Sequence, residues 1–236
     1  MKKIYWIIVV ILLIIAAGCV YHIRNQKNLS EVKEMVSRQL STELHHLDLR
    51  NKNLTSIPDL CASWLDQKIL DDIWSIDLGN NSITKISVDL SCFKNLSELN
   101  LGYNQISEIE DIAQLKFLSK LDLSKNEIVA IEGLNELNRL QDLNLSYNKI
   151  ESTKGLEWLE NLISLQLQHN QLADVSAIID LKNLETLKLE YNDLEDTDLQ
   201  FLDSLTKLKH ISTWDNQLSP EIIEKWNKKT QENMQK

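Results

Sequence analysis

The sequence predicts an α/β solenoid: short stacked coils with one parallel sheet along the inner face. Three observations carry this. Asparagines recur as Asn81, Asn104, Asn126, Asn148, Asn170, Asn192 and Asn216, at steps of 23, 22, 22, 22, 22 and 24 residues. Around each runs one phrase, LxxLxLxxNxL, as in Leu118, Leu121, Leu123, Asn126 and Ile128. Between phrases lies a second apolar set, such as Ile109, Ile112, Leu115 and Ile131, Leu134, Leu137. A fixed period in the twenties marks a repeat architecture.

The apolar alternation of LxL is that of a strand with one buried face. One coil cannot bury that face alone, but stacked coils share a continuous core. About nine residues return the chain, too few for a full helix with its turns. The convex side is therefore expected to be extended or 3₁₀. The second apolar set fills the back of the coil. Each asparagine sits where the chain leaves the strand. Its amide carries donors and an acceptor for backbone groups of its own and the adjacent coil. The ladder is read as structural.

The repeats span residues 44–218, about eight copies. Departures sit at the ends, as capping repeats require. The first copy (Leu44, Leu47, Leu49, Leu54) has Lys52 in place of the asparagine, and the last has Thr213 in place of a leucine. The first repeat is also longer. Its extra stretch, with Leu60, Trp64, Leu65 and Ile69 at helical spacing, predicts a short convex helix over 60–70. This pattern resembles the leucine-rich repeat family, in the short 22-residue form of bacterial internalins. The resemblance implies a horseshoe with a concave parallel sheet and a role in binding other proteins, on the host or in the bacterial envelope.

Residues 1–19 read as an export signal. Lys2-Lys3 precedes an apolar run from Ile4 to Ala17, too short for a comfortable membrane span and suited to a secretory signal. The sequence Ile15-Ala16-Ala17-Gly18-Cys19 resembles the bacterial lipobox, with Ala16 where leucine is usual, and makes Cys19 a lipidation site. The other reading is an uncleaved signal anchor, its span running on to Ile23. Residues 20–29 are a polar tether. Residues 30–43 predict an N-terminal capping helix, with Ser30 as N-cap and Val32, Val36 and Leu40 on one face. At the other end, Ser219-Pro220 is a helix start. Ile222, Ile223 and Trp226 make a sealing face, and a polar tail follows within 219–236.

The formal net charge is −10, or −12 without Lys2 and Lys3. An acidic chain lacks the basic face of a nucleic-acid binder. Cys61 and Cys92 fall at similar convex positions in adjacent coils. A disulfide and two unpaired core thiols are both open readings for an exported chain. No glycine-rich phosphate loop, nucleophile motif or metal-ligand spacing is present, so the expectation is a non-enzyme with no cofactor and no metal. His45 and His46 point to opposite faces of a strand.

The concave face carries the binding candidates. The column just before the asparagines reads Asn80, Tyr103, Lys125, Tyr147, His169, Tyr191 and Asp215. It is taken as a solvent-facing strand position, ringed by Lys120, Lys188, Asp122, Asp142 and Glu190. Exposed aromatics on a rigid sheet suit an interface. Tyr103, Tyr147, His169, Tyr191 and Trp214 are the partner-binding candidates. The alternative is that the tyrosines only shield the edge of the next coil. A second column, Asp48, Asp77, Asn100, Asp122, Asn144, Gln166, Lys188 and Ser212, is read as plain strand surface. The resulting picture is an exported, membrane-anchored protein-binding module in the cell envelope. A non-binding structural envelope protein is the alternative.

Overall fold

The computed structural model describes residues 45–61, 67–86 and 89–234, with residues 34 and 37. The lipobox with Cys19, the tether and most of the predicted capping helix lie outside the described residues. So do Trp64 and Leu65. The solenoid from His45 onward is one compact unit.

Eight three-residue strands lie along it among the described residues: β1 (His46–Asp48), β2 (Ser75–Asp77), β3 (Glu98–Asn100), β4 (Lys120–Asp122), β5 (Asp142–Asn144), β6 (Ser164–Gln166), β7 (Thr186–Lys188) and β8 (His210–Ser212). They form one parallel sheet in chain order. The register places Leu47, Ile76, Leu99, Leu121, Leu143, Leu165, Leu187 and Ile211 side by side. All eight are buried, as are the next inward residues from Leu49 to Leu189. The strands are short because only the LxL segment alternates, and the following turn ends each one. This is the leucine-rich repeat horseshoe.

The asparagine ladder works in one direction. Asn126 Nδ2 donates to Leu123 O and Ser124 O of its own coil and to Leu101 O of the preceding one, at 3.0, 3.2 and 3.0 Å. Its Oδ1 accepts the Ile106 N–H of the preceding coil at 2.9 Å. Every ladder asparagine reaches back this way, down to Asn81, whose Oδ1 accepts from Lys52 N and Leu54 N. Among the described residues no repeat lies behind the first coil, so its position needs no amide and Lys52 is tolerated. The last coil does have a repeat behind it and keeps Asn216. A second ladder runs along the convex side. Asn95, Asn161 and Asn183 donate to Asp71 O, Asn138 O and Glu160 O. Phe117 and Arg139 hold that position in the two coils between, with the guanidinium 4.5 Å from the ring centre.

The returning segments are turns in the middle coils and 3₁₀ at Ser176–Asp180 and Asp196–Ser204. Gly155 shows how closely the turns pack. Its φ is +102°, and a Cβ there would lie 1.9 Å from Ile131 O. In the long first repeat, helix α1 (Gln67–Asp72) begins later than the Leu60 spacing suggested. Leu60 is in a turn, buried against the core. Cys61, beside it, is bonded to Cys92 of the next coil, with Cα atoms 5.5 Å apart.

Helix α2 (Pro220–Met234) closes the far end. Ser219 Oγ accepts the Ile222 N–H at 3.5 Å, a long N-cap contact. Trp226 is 2% exposed and covers the last coil, where Thr213 is also buried. The segment after Trp226, expected as a polar tail, is helical as far as Met234. Asp203 of the preceding convex segment holds Lys225 and Lys229 at 2.5 and 3.4 Å. Those bonds dock the middle of the helix, and its good helix formers carry it on. Among the described residues, no helix is long and apolar enough to cross a membrane.

Candidate protein-binding surface

The surface begins with how each strand ends. Asp48, Asp77, Asn100, Asp122 and Asn144 are the last residues of β1–β5. The Oδ1 of each accepts the N–H two residues on, at 2.8–3.1 Å. These are Asx turns. The first five members of the column read as plain strand surface therefore have a local role, to turn the chain off the sheet.

The turn leads into a left-handed residue in every coil. Asn51, Asn80, Tyr103, Lys125, Tyr147, His169, Tyr191 and Asp215 have φ between +53° and +58°. Asparagine and aspartate tolerate this region, whereas tyrosine and lysine give up roughly 1–2 kcal/mol. The expected concave strand column is thus corrected. It lies three residues past each strand, on a turn along one edge of the sheet. Backbone bonds still hold the coils in step there, as in Tyr147 N–H to Gln168 O at 2.9 Å and Asn148 N–H to His169 O at 3.2 Å.

That constant spacing aligns the side chains. Tyr147 and His169 stack at 4.0 Å between ring centres, 15° from parallel. His169 and Tyr191 stack at 4.0 Å and 18°. Tyr191 meets Trp214 at 4.6 Å and 70°, an edge contact that ends the stack. Lys125 Nζ bridges the gap at the other end, 4.2 Å from the Tyr103 ring centre and 5.0 Å from that of Tyr147. All five sequence candidates thus fall on one unbroken ladder, with Lys125 as a sixth member. Its place in the same column was the signal for it. Each contact contributes about 0.5–1.5 kcal/mol, similar in size to the left-handed cost it offsets.

The ring faces are spent on one another, which satisfies the coil-edge reading. The outward edges are not spent: Tyr103, Tyr147, Tyr191 and Trp214 remain 40–54% exposed. The hydrogen bond from Lys125 to Tyr103 raises the lysine pKa and keeps it cationic. Desolvation, then the neighbouring Asp215, raises the Tyr191 pKa and keeps its hydroxyl protonated. The ladder thus presents the protonated Tyr191 hydroxyl and the Lys125 cation.

Of the charges expected around it, Lys120, Lys188, Asp122 and Asp142 are exposed or half-buried. Glu190 is not a rim charge. It is buried, its Oε1 accepts from Ser212 Oγ at 2.5 Å, and its Oε2 is buried without a hydrogen-bond partner. Among the described residues, no group of three or more His, Cys, Asp or Glu side chains is placed to hold a metal ion.

Known proteins share this architecture. The family model described as Leucine Rich repeats (2 copies) matches residues 75–114. Single-repeat models, Leucine Rich Repeat and Leucine Rich repeat, match 139–162 and 180–202. No curated protein matches the chain. Among solved structures, the internalin inlF of Listeria monocytogenes is 27% identical at a TM-score of 0.59, over 65% of this chain and 45% of that one. This chain thus spans less than half of that internalin's length. Internalin C2 of the same organism is 29% identical at a TM-score of 0.54, over 66% of this chain and 77% of its own. A leucine-rich repeat protein of Leptospira interrogans, 24% identical at a TM-score of 0.59 over 80% of this chain and 60% of that one, shares the fold. With its back-reaching asparagines, its eight-stranded parallel sheet and these matches, the chain carries leucine-rich repeats in a horseshoe fold and is similar to internalins.

Proposed function

We propose that this chain is an exported protein-binding module, held at a membrane surface by a lipid on Cys19, that meets its partner with the edge ladder. The observation that carries the reading is the run of outward ring edges from Tyr103 through Tyr147, His169 and Tyr191 to Trp214. Stacking fixes these side chains before any partner arrives, so binding costs little side-chain entropy. Aromatic residues held this way are the usual anchors of interfaces. The internalin likeness supports a protein partner, since leucine-rich repeats commonly bind proteins. A membrane anchor would raise the local concentration of the module near that partner.

Two measurements test the reading. Affinity capture with the full chain, extracted from membranes in non-ionic detergent, should identify a protein whose retention falls at least fivefold in Tyr147→Ala and in Tyr191→Ala, about 1 kcal/mol each. Unchanged retention per folded molecule would leave the ladder as coil-edge packing only. Mass spectrometry of the native N-terminus should find a diacylglyceryl thioether on Cys19. An intact Met1 would replace the lipid with a single-span signal anchor carrying the same repeat domain.

A further inference from the structure

On the convex flank, away from the ladder, the turns of two adjacent middle coils enclose a cleft of about 780 Å³. Two apolar side chains there break the pattern of their columns. Val129 stands where the other coils carry Thr84, Ser107, Glu151, Ala173 and Glu195. Trp158 stands where they carry Cys92, Gln114, Glu136, Asp180 and Ser204. Neither side chain serves the core. Val129 is 51% exposed and Trp158 is 65% exposed, the most of any large apolar residue among those described. Two independent exceptions in neighbouring coils thus line one cleft.

The rest of the lining sets the charge of what fits. Glu132, Glu151 and Glu157 face the cleft against a single cation, Lys154. Glu157 is partly engaged, its Oε2 accepting the Gly155 N–H at 2.6 Å. Glu132 and Glu151 are exposed. No ion pair joins Lys154 to any of the three among the described residues. An exposed indole beside spare carboxylates is the arrangement that takes a guanidinium or ammonium, by cation–π contact on one side and charge-assisted hydrogen bonds on the other. Arginine fits best, because its plane stacks on the ring while its fork reaches a carboxylate.

We propose that this cleft is a second recognition site, which takes an arginine or lysine side chain from a partner polypeptide. The occupant is a basic segment rather than a second copy, because the chain is itself acidic, at −10, and like surfaces repel.

The test uses the membrane-extracted chain in non-ionic detergent, labelled with 5-fluorotryptophan. The Trp158 signal is assigned by its loss in Trp158→Phe. The probes are acetyl-Gly-Arg-Gly-amide and the matching citrulline peptide, which keeps the shape and removes the charge. The arginine peptide should shift the Trp158 resonance saturably and bind at least tenfold more tightly than the citrulline peptide. Affinity should fall at least fivefold in Glu132→Gln/Glu151→Gln, whose fold is checked by the other tryptophan signals, and should weaken with added salt. Equal affinity for the two peptides, or no saturable shift at millimolar concentrations, would overturn the proposal. So would concentration-dependent self-association abolished by Trp158→Ala, which would assign the cleft to a second copy.

Discussion

Replacing Asn126 with alanine tests the structural core of the fold, and the hydrogen bonds predict which loss matters. The three carbonyls that Asn126 Nδ2 reaches all keep a donor. Leu101 O retains Asn104 Nδ2, Leu123 O retains Asn148 Nδ2, and Ser124 O retains the Tyr103 N–H. The Ile106 N–H is different, for its partner is Asn126 Oδ1. The variant therefore strands one buried backbone donor, at a cost of about 1–3 kcal/mol. Asn216→Ala strands the Leu194 N–H in the same way, but Asn216 is only half-buried and water can replace it. That loss should stay below about 1 kcal/mol. Urea melts of the full chain in detergent, fitted with a common slope, measure both. Equal and negligible losses, or a larger loss at Asn216, would refute the account. A changed slope would instead signal that the coils no longer unfold together.

Other outcomes follow from single contacts. Cys92→Ser should destabilise by about 3–4 kcal/mol in the chain-entropy picture, since the bond to Cys61 closes a 31-residue separation; thermal melts with and without reductant measure it. Trp226→Ala empties the seal over the last coil and should cost about 3–5 kcal/mol, with hydrogen exchange rising first in β8. Asp48 is held at a pKa of about 2, first by its hydrogen bonds to the Arg50 side chain, so its folded-state value lies below the ordinary carboxylate range. Its contribution is present above about pH 4 and lost as pH falls through 2. Exposure keeps it under about 1 kcal/mol, and Asp48→Asn should remove that part of the acid transition.

The sheet was legible because its cause is local and repeated. The LxL alternation decides which side chains turn inward, and the asparagine decides where each coil bends. The direction of the ladder was less legible. Only the bonds reveal that each amide serves the coil behind it, and this explains Lys52 better than a general tolerance at the ends. Trp226 announced a sealing helix, but the length of that helix did not follow, since its last turns have no apolar face to mark them. Asp203 holds the middle of α2 through Lys225 and Lys229, and helix propensity does the rest. The candidate site was half legible. Column membership could be read from the repeat, but the left-handed backbone could not, because tyrosine and lysine do not signal positive φ as glycine or asparagine does. Glu190 was misplaced for a related reason. A charged residue next to the turn reads as exposed until the packing of Ser212 against it is seen. Val129 and Trp158 depart from columns of small, polar or charged residues, but only the folded turns bring them to one cleft.

The ladder joins a structural cost to a binding opportunity, and one comparison separates the two. Tyr147 gives up about 1–2 kcal/mol to its left-handed backbone and recovers a similar amount from His169 and Lys125. Tyr147→Phe keeps the ring, the stack and the backbone, and removes only the outward hydroxyl. Tyr147→Ala removes the stack as well. If the partner reads the hydroxyls, Tyr147→Phe should weaken capture several-fold while the urea midpoint stays fixed. If it reads ring area, Tyr147→Phe should bind as the parent does and Tyr147→Ala should lose at least fivefold. A stability loss in Tyr147→Ala with unchanged binding per folded molecule would show that the rings face one another for the sake of the coils alone. The partner surface would then have to be sought elsewhere, and the convex cleft at Trp158 offers the most exposed large apolar side chain among the described residues.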